Sequence, residues 1–209
     1  MLFRSVEGLT VPNTDGRVLP RLAESWAWQP DGRALVLALR PNVTFHDGTA
    51  LTPEVAAKIL KDVIARPGNI AQYPAVTDIT DVAPRGSREV VISVSRRSSF
   101  LPEDLELPLT LANNVGTGAY RIVRNEPTEI ALERHDGYYG GRPAIRQILI
   151  RPFDTLRTAW SSLLRGEIDM VTNVPPEAIE FVGNEEVQIV RYARRFQRSE
   201  EHTSELQSH

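Results

Sequence analysis

The chain has 209 residues, 41% hydrophobic and 24% charged, which lies within the range of ordinary globular proteins. A formal net charge of -3, from 24 basic and 27 acidic residues, offers no basic surface for phosphates, so we expect no nucleic-acid partner. The absence of cysteine excludes disulfides, thiolate metal ligands and a cysteine nucleophile. No apolar run approaches about 18 residues, so the sequence predicts no membrane span.

The two ends of the chain resemble translated sequencing adapter. Encoding residues 198–201, Arg-Ser-Glu-Glu, as AGA TCG GAA GAG and taking the reverse complement gives CTC TTC CGA TCT, which translates as Leu-Phe-Arg-Ser, residues 2–5. We therefore interpret residues 1–5 and 198–209 as adapter-like scars, the second one disordered, and leave both out of the fold. The rest starts and stops abruptly, without a signal or lipoprotein leader, and we expect it to be a fragment of a longer protein.

A β-hairpin is predicted around Pro30-Asp31-Gly32, because apolar residues alternate on both sides of this turn sequence. Trp26 and Trp28 share one face of the first strand and are expected in the core. On the second strand, three leucines share one face: Leu35, Leu37 and Leu39.

The stretch VTFHDGTALTPE, residues 43–54, predicts a turn followed by a helix. Asp47-Gly48 is a strong turn dipeptide, Thr52 is a helix N-cap and Pro53 suits the first helical position. Pro67-Gly68 predicts the end of this helix. The pair His46-Asp47 could instead serve catalysis or a metal, but neither a GxSxG turn nor a second histidine at ligand spacing accompanies it, so we favour the structural interpretation.

The remaining pattern predicts alternating elements. Strands are expected at 75–84 and 88–95, a short acidic helix at 101–107, a hairpin at 119–134 with its turn at 125–128, and a strand at 145–152. A helix follows at 154–166, capped by Asp154 and closed by Gly166, with Trp160 in the core. Its apolar stripe is completed by Leu156, Leu163 and Leu164. A strand at 167–174 would pair in parallel with 145–152 through a right-handed crossover, and a helix from 175 and a strand at 187–193 would follow.

Other candidate sites favour structural interpretations. The loop Gly116-Thr117-Gly118 lacks the third glycine or the lysine of phosphate-binding loops and precedes a strand, so close backbone approach is the better explanation. The acidic run 103–106 is typical of a solvated helix face, and the segment 138–141, Tyr-Tyr-Gly-Gly, of packing under a glycine turn. We therefore predict no enzyme, no catalytic residues, no metal site and no cofactor.

Three stretches in order, residues 19–60, GTGAYRIV at 116–123 and residues 132–171, resemble the extracytoplasmic solute-binding proteins of family 5. These are the peptide, dipeptide and nickel-type receptors of ABC importers. The resemblance implies a mixed α/β, two-lobe, type II periplasmic-binding-protein-like fold. Residues 6–115 would hold the N-terminal segment and a small β-rich lobe, and residues 116–197 part of the main α/β lobe.

The resemblance also implies a function. The intact protein would be periplasmic or at the cell surface, close over a peptide-like solute by lobe closure and deliver it to a membrane permease of an ABC importer. The fragment lacks the second lobe and should bind poorly by itself. Gln72 and Tyr73, in the loop after the first helix, are the ligand-binding candidates, although Tyr73 could equally pack against that helix. The alternative is the ligand-sensing domain of a transcription regulator.

Overall fold

The structure is a computed structural model that describes residues 5–13, 15–172, 174 and 187–190. The helix predicted from residue 175 and the disorder predicted for 198–209 lie outside the described residues. Contacts between Cα atoms divide the chain into two compact units, Met1–Pro152 and Phe153–His209. Each unit is described by itself below.

The first unit contains three antiparallel sheets. Its strands are β1 (Thr10–Pro12), β2 (Val18–Pro20), β3 (Ala23–Trp28), β4 (Ala34–Leu39), β5 (Ile79–Arg85), β6 (Glu89–Val94), β7 (Tyr120–Glu126), β8 (Glu129–Arg134) and β9 (Gln147–Ile150). Its α-helices are α1 (Pro53–Ile64), α2 (Pro67–Gln72) and α3 (Leu101–Asp104), with 3-10 helices at Pro74–Asp78 and Ala112–Asn114. The strand orders are β1-β2, β3-β4-β6-β5 and β7-β8-β9.

The predicted hairpin around Pro30-Asp31-Gly32 joins β3 to β4. Asp31 Oδ1 accepts a hydrogen bond from the Arg33 amide at 2.9 Å, and Gly32 has φ +68°, as the turn requires. The three leucines of β4 are buried, while Trp26 and Trp28 are partly buried against the same core. The face prediction is therefore confirmed, with the tryptophans at the margin of the core.

Helix α1 begins as predicted and ends sooner. Thr52 Oγ1 accepts a hydrogen bond from the Val55 amide at 3.3 Å, and Pro53 is the first helical residue. The helix stops at Ile64, and Pro67 opens α2 instead of closing α1, because proline suits the first turn of a helix. The strand prediction for residues 75–78 is also wrong, since these lie in a 3-10 helix and β5 starts at Ile79.

The β7-β8 hairpin is confirmed, and β9 pairs antiparallel with β8. The strands run to Glu126 and restart at Glu129, so the turn is shorter than predicted and contains Pro127-Thr128. The sheet thus brings together residues from the GTGAY segment and from the 132–150 segment.

The second unit contains α4 (Leu156–Leu164). Its N-cap is Thr155, whose Oγ1 accepts from the Thr158 amide at 3.2 Å, so the Asp154 cap prediction is wrong by one residue. Gly166, with φ +69°, follows the helix end as predicted.

The predicted apolar core of α4 is only half formed. Ala159 and Ser162 are its buried residues, Trp160 is partly exposed and Leu164 is 49% exposed. Among the described residues of this unit there is one helix and no strand.

The parallel crossover is not observed. The described residues from 167 to 174 and from 187 to 190 do not form a strand. Every strand pairing among the described residues is antiparallel. A strand exists only with a hydrogen-bonding neighbour, which an apolar run cannot supply by itself. The mixed α/β fold class is unaffected.

Candidate functional site

The FHDG segment forms the predicted turn. Asp47 Oδ1 accepts a hydrogen bond from the Thr49 amide at 2.9 Å, and this bond lowers the pKa of the exposed Asp47 carboxyl. Gly48 adopts φ +88° and Phe45 is fully buried. Asp47 and Gly48 therefore direct the chain from Phe45 toward α1.

His46 does more than occupy a turn position. Its amide donates to the Gly116 carbonyl at 2.9 Å, and its Nε2 lies 2.9 Å from the Gly118 carbonyl oxygen. A carbonyl can only accept, so Nε2 carries the proton and the ring is held in that tautomer. The histidine thus fastens the turn before α1 to the Gly116-Thr117-Gly118 loop.

His135 lies against His46 in an edge-to-face contact, with ring centroids 5.2 Å apart and planes at 88°. Its Nδ1 is buried and has no hydrogen-bond partner among the residues that the structure describes. Burial lowers the pKa of both histidines, and the positive charge of Arg121 lowers both further. The hydrogen bond to the Gly118 carbonyl opposes this shift without overcoming it. No sequence pattern indicates this contact, because it joins two distant segments.

The Gly116-Thr117-Gly118 loop is a point of close backbone approach, as predicted. A Cβ at Gly116 would overlap the Ser5 carbonyl oxygen, and the Gly118 amide donates to that same oxygen at 3.0 Å. Ser5, which the sequence analysis left out of the fold with the adapter-like scar, is thus buried against this loop. Thr117 is fully buried and donates its hydroxyl to Glu7 Oε2 at 3.3 Å. The loop therefore binds other parts of the chain.

Glu7 provides a buried carboxylate at the centre of this region. Its Oε1 accepts from the Tyr138 hydroxyl at 2.8 Å and from the Tyr139 hydroxyl at 3.2 Å, and lies 3.4 Å from Arg21 Nε. Burial raises the pKa of Glu7, while the hydroxyl bonds and Arg21 oppose the rise. Burial likewise raises the pKa of both tyrosines. These side chains satisfy a group that would be costly to bury alone.

The tyrosine pair also packs as the sequence predicted. The two rings lie 4.6 Å apart, Gly141 nearby adopts φ +97°, and the Arg40 guanidinium lies 5.5 Å from the Tyr139 ring centre. We call the whole assembly the joint, defined by Glu7, His46, the 116–118 loop, His135, Tyr138 and Tyr139. The joint connects the N-terminal segment, the turn before α1 and the three-stranded sheet.

The proposed ligand-binding residues have different environments. Gln72 is exposed at the end of α2, whereas Tyr73 is 7% exposed within the core, where burial raises the pKa of its hydroxyl. That position supports the packing role of Tyr73, and ligand binding by either residue stays a prediction.

In the acidic run, Asp104 Oδ2 accepts from the Ala75 amide at 2.6 Å, so this carboxylate is structural.

Neither a metal cluster nor a membrane helix is found in the part of the chain that the structure describes. No group of three or more histidine, aspartate or glutamate side chains there could hold a metal ion. No described helix has the length and apolar character needed to cross a bilayer.

Comparison with known proteins identifies the family. Residues 17–203 match the model of the bacterial extracellular solute-binding proteins, family 5 Middle. The chain belongs to this family. Its fold is part of the mixed α/β, type II periplasmic-binding-protein-like fold.

Individual relatives span a range of functions. The chain is 25% identical over 185 residues to the nickel-binding periplasmic protein of Escherichia coli, covering 79% of this chain and 35% of that protein. It is 29% identical over 157 residues to the HTH-type transcriptional regulator SgrR of Pectobacterium atrosepticum, covering 68% and 27%. The structure of NikA from Staphylococcus aureus in complex with Ni(L-His)2 matches with a TM-score of 0.76 at 21% identity, covering 87% and 41%. The chain thus spans less than half the length of these proteins.

Replacing Gly116 with alanine should destabilise the joint. The new methyl group would overlap the Ser5 backbone, which cannot move aside like a side chain, so we expect a loss of about 1–3 kcal/mol in the free energy of unfolding. Urea denaturation measures this loss. The control is Gly68→Ala, which meets no atom within 4 Å and lies in α2, and should leave stability unchanged or raise it. Equal losses in the two variants would contradict the close approach.

Acid should weaken the fold through His46 and His135. The pKa values of both histidines are lower in the folded state than in the unfolded state, so the folded state binds fewer protons. The stability that is present above about pH 6.5 is therefore lost as the pH falls toward the lowered folded pKa values. Urea denaturation at pH 7.5 and 5.5 should show a larger loss for the native chain than for His135→Phe, which keeps a ring without titrating. Identical losses would exclude the His135 ring as a source of acid sensitivity.

Proposed function

We propose that the chain is part of the solute-binding component of an ABC importer, which captures a small solute by lobe closure and delivers it to a membrane permease. The observation that carries the proposal is the family match over residues 17–203. The intact protein would act in the periplasm or at the cell surface, without catalysis and without a cofactor. The relative from Escherichia coli, named a nickel-binding periplasmic protein, supports this location.

The order of the sheets along the chain is the basis for a proposed lobe boundary near Gly116, which lies inside the first of the two compact units. Before it lies the four-stranded sheet β3-β4-β6-β5 with α1 packed on it, and after it lies the three-stranded sheet β7-β8-β9. We propose residues 6–115 as the N-terminal segment with the small lobe, and residues 116–197 as part of the main lobe. Closure around a solute requires lobes that keep their internal structure, and the buried bonds of the joint would provide a fixed base for such a motion.

The solute we propose is peptide-like. A peptide presents an amino group and a carboxylate at its two ends. Gln72, exposed at the end of α2, is our candidate contact with the solute. Tyr73 is the second candidate contact and is less accessible because it is buried. Backbone amides and a few charges in a cleft would fix the ends of such a ligand.

The chain by itself should bind small peptides poorly. It spans 35% of the length of the Escherichia coli relative, and we propose that a cleft formed by two lobes is incomplete in this stretch. Calorimetric titration with di- and tripeptides should give dissociation constants weaker than about 1 mM. The same titration on the complete protein encoded at the locus is the control. Micromolar binding by the 209-residue chain would contradict the proposal.

A second candidate is the ligand-sensing domain of a transcription regulator, favoured by the similarity to SgrR. The two functions differ in what precedes this stretch in the complete gene. A signal or lipoprotein leader supports the receptor, and a helix-turn-helix segment supports the regulator. Sequencing the complete open reading frame decides between them.

A further inference from the structure

A charged depression lies at one end of the β7-β8-β9 sheet. Its volume is about 340 Å³, enough for a ligand of several non-hydrogen atoms. Every residue that lines it is charged: Arg121, Glu133, Arg134, Asp136, Arg142 and Arg146. Neither the family match nor the joint explains why four arginines gather here.

The backbone brings three segments to this depression. Arg121 of β7 and Glu133 of β8 are direct partners in the strand register. The Arg134 amide donates to the Arg146 carbonyl at 3.0 Å, which brings the approach to β9 alongside. Asp136 and Arg142 belong to the turn that connects these segments, and this turn is fixed by the joint through Tyr138 and Tyr139.

Both carboxylates of the depression already have arginine partners. Glu133 Oε2 accepts from Arg121 Nη2 at 2.7 Å. Asp136 Oδ1 accepts from both Arg134 Nε at 2.8 Å and Arg142 Nε at 2.9 Å. The carboxylates therefore orient the guanidinium groups and offer little to an added cation.

The guanidinium groups retain the capacity to bind an anion. Each has five N–H donors, of which the ion pairs use one or two, and four arginines against two carboxylates leave a formal charge of +2. Arg146 has no ion pair with any residue that the structure describes. Guanidinium forks match the oxygen spacing of carboxylates and phosphates.

The lining selects the class of ligand. An apolar ligand would find no apolar side chain among the six lining residues. A single halide would neutralise one charge and use few of the donors. We propose that this depression binds a small oxyanion with at least two negative charges, carried by phosphoryl or carboxylate groups. The existence of this site does not depend on the proposed function.

Solvent exposure sets the strength of this site. The Arg142 side chain is 61% exposed and the Arg121 side chain 49% exposed, so salt screens their attraction for an anion. Binding should therefore be strongest at low ionic strength and weaken as sodium chloride is added. Removal of one engaged guanidinium should weaken binding about tenfold, because a charge-assisted hydrogen bond is lost.

Equilibrium dialysis of the 209-residue chain tests the proposal, with radiolabelled pyrophosphate in one arm and radiolabelled citrate in the other. Both arms use low ionic strength. We expect saturable binding of at least one probe at one site per chain. Binding of pyrophosphate alone identifies a phosphoryl ligand, and binding of citrate alone identifies a carboxylate ligand. Binding of both probes identifies a site that accepts either group. Each of these results supports the proposal.

Three variants distinguish specific binding in the depression from nonspecific electrostatic attraction of anions. Arg142→Gln and Arg146→Gln alter exposed side chains and should each weaken binding about tenfold. The matched control is Arg151→Gln, which removes the same charge. Arg151 directly follows β9 and pairs with Glu129 at 2.9 Å, outside the depression. Arg151→Gln should change binding less than twofold. Absence of saturable binding in both arms, or equal weakening by all three variants, would overturn the proposal.

Discussion

The buried carboxylate of Glu7 is the constraint on which the rest of the structure depends. Removing a charged group from water costs several kcal/mol unless hydrogen bonds or an opposite charge compensate it. Here the partners come from three distant places: Thr117, the tyrosine pair at 138–139, and Arg21. Because each must reach the same carboxylate, the chain segments that carry them are fixed relative to one another.

The motifs that carry the family resemblance meet at this place. FHDG supplies His46, and GTGAY supplies the carbonyls of Gly116 and Gly118 that receive its two hydrogen bonds. The signature therefore identifies how the chain is held together and not what it binds.

Local features of the fold were predictable from the sequence. The Asp47-Gly48 turn, the Thr52 cap and the β3-β4 hairpin depend on neighbouring residues, whose backbone preferences decide the outcome. The N-cap of α4 lies one residue after the predicted Asp154, because threonine caps helices as aspartate does and the adjacent Thr155 takes the role. The predicted strand at 167–174 failed for a different reason, since pairing requires a partner that the pattern of one segment does not contain.

The contacts of the candidate site were not predictable in the same way. His46 and His135 were both visible as residues, but nothing in either segment indicates that their rings meet at 5.2 Å. Glu7 had no sequence signal beyond being an acidic residue near an apolar stretch. The close approach of Gly116 was predictable in part. Glycine at this position suggested a backbone role, but only the folded structure shows that the backbone it approaches is that of Ser5.

A double-mutant cycle between Glu7→Gln and Tyr138→Phe tests most directly whether the buried carboxylate organises the joint. The free energy of unfolding would be measured for the native chain, both single variants and the double variant. A hydrogen bond of 2.8 Å between the buried Glu7 carboxylate and the half-buried Tyr138 hydroxyl predicts a coupling energy of about 0.5–3 kcal/mol. Losses that add to within about 0.3 kcal/mol would show that the two groups act independently and would contradict this account.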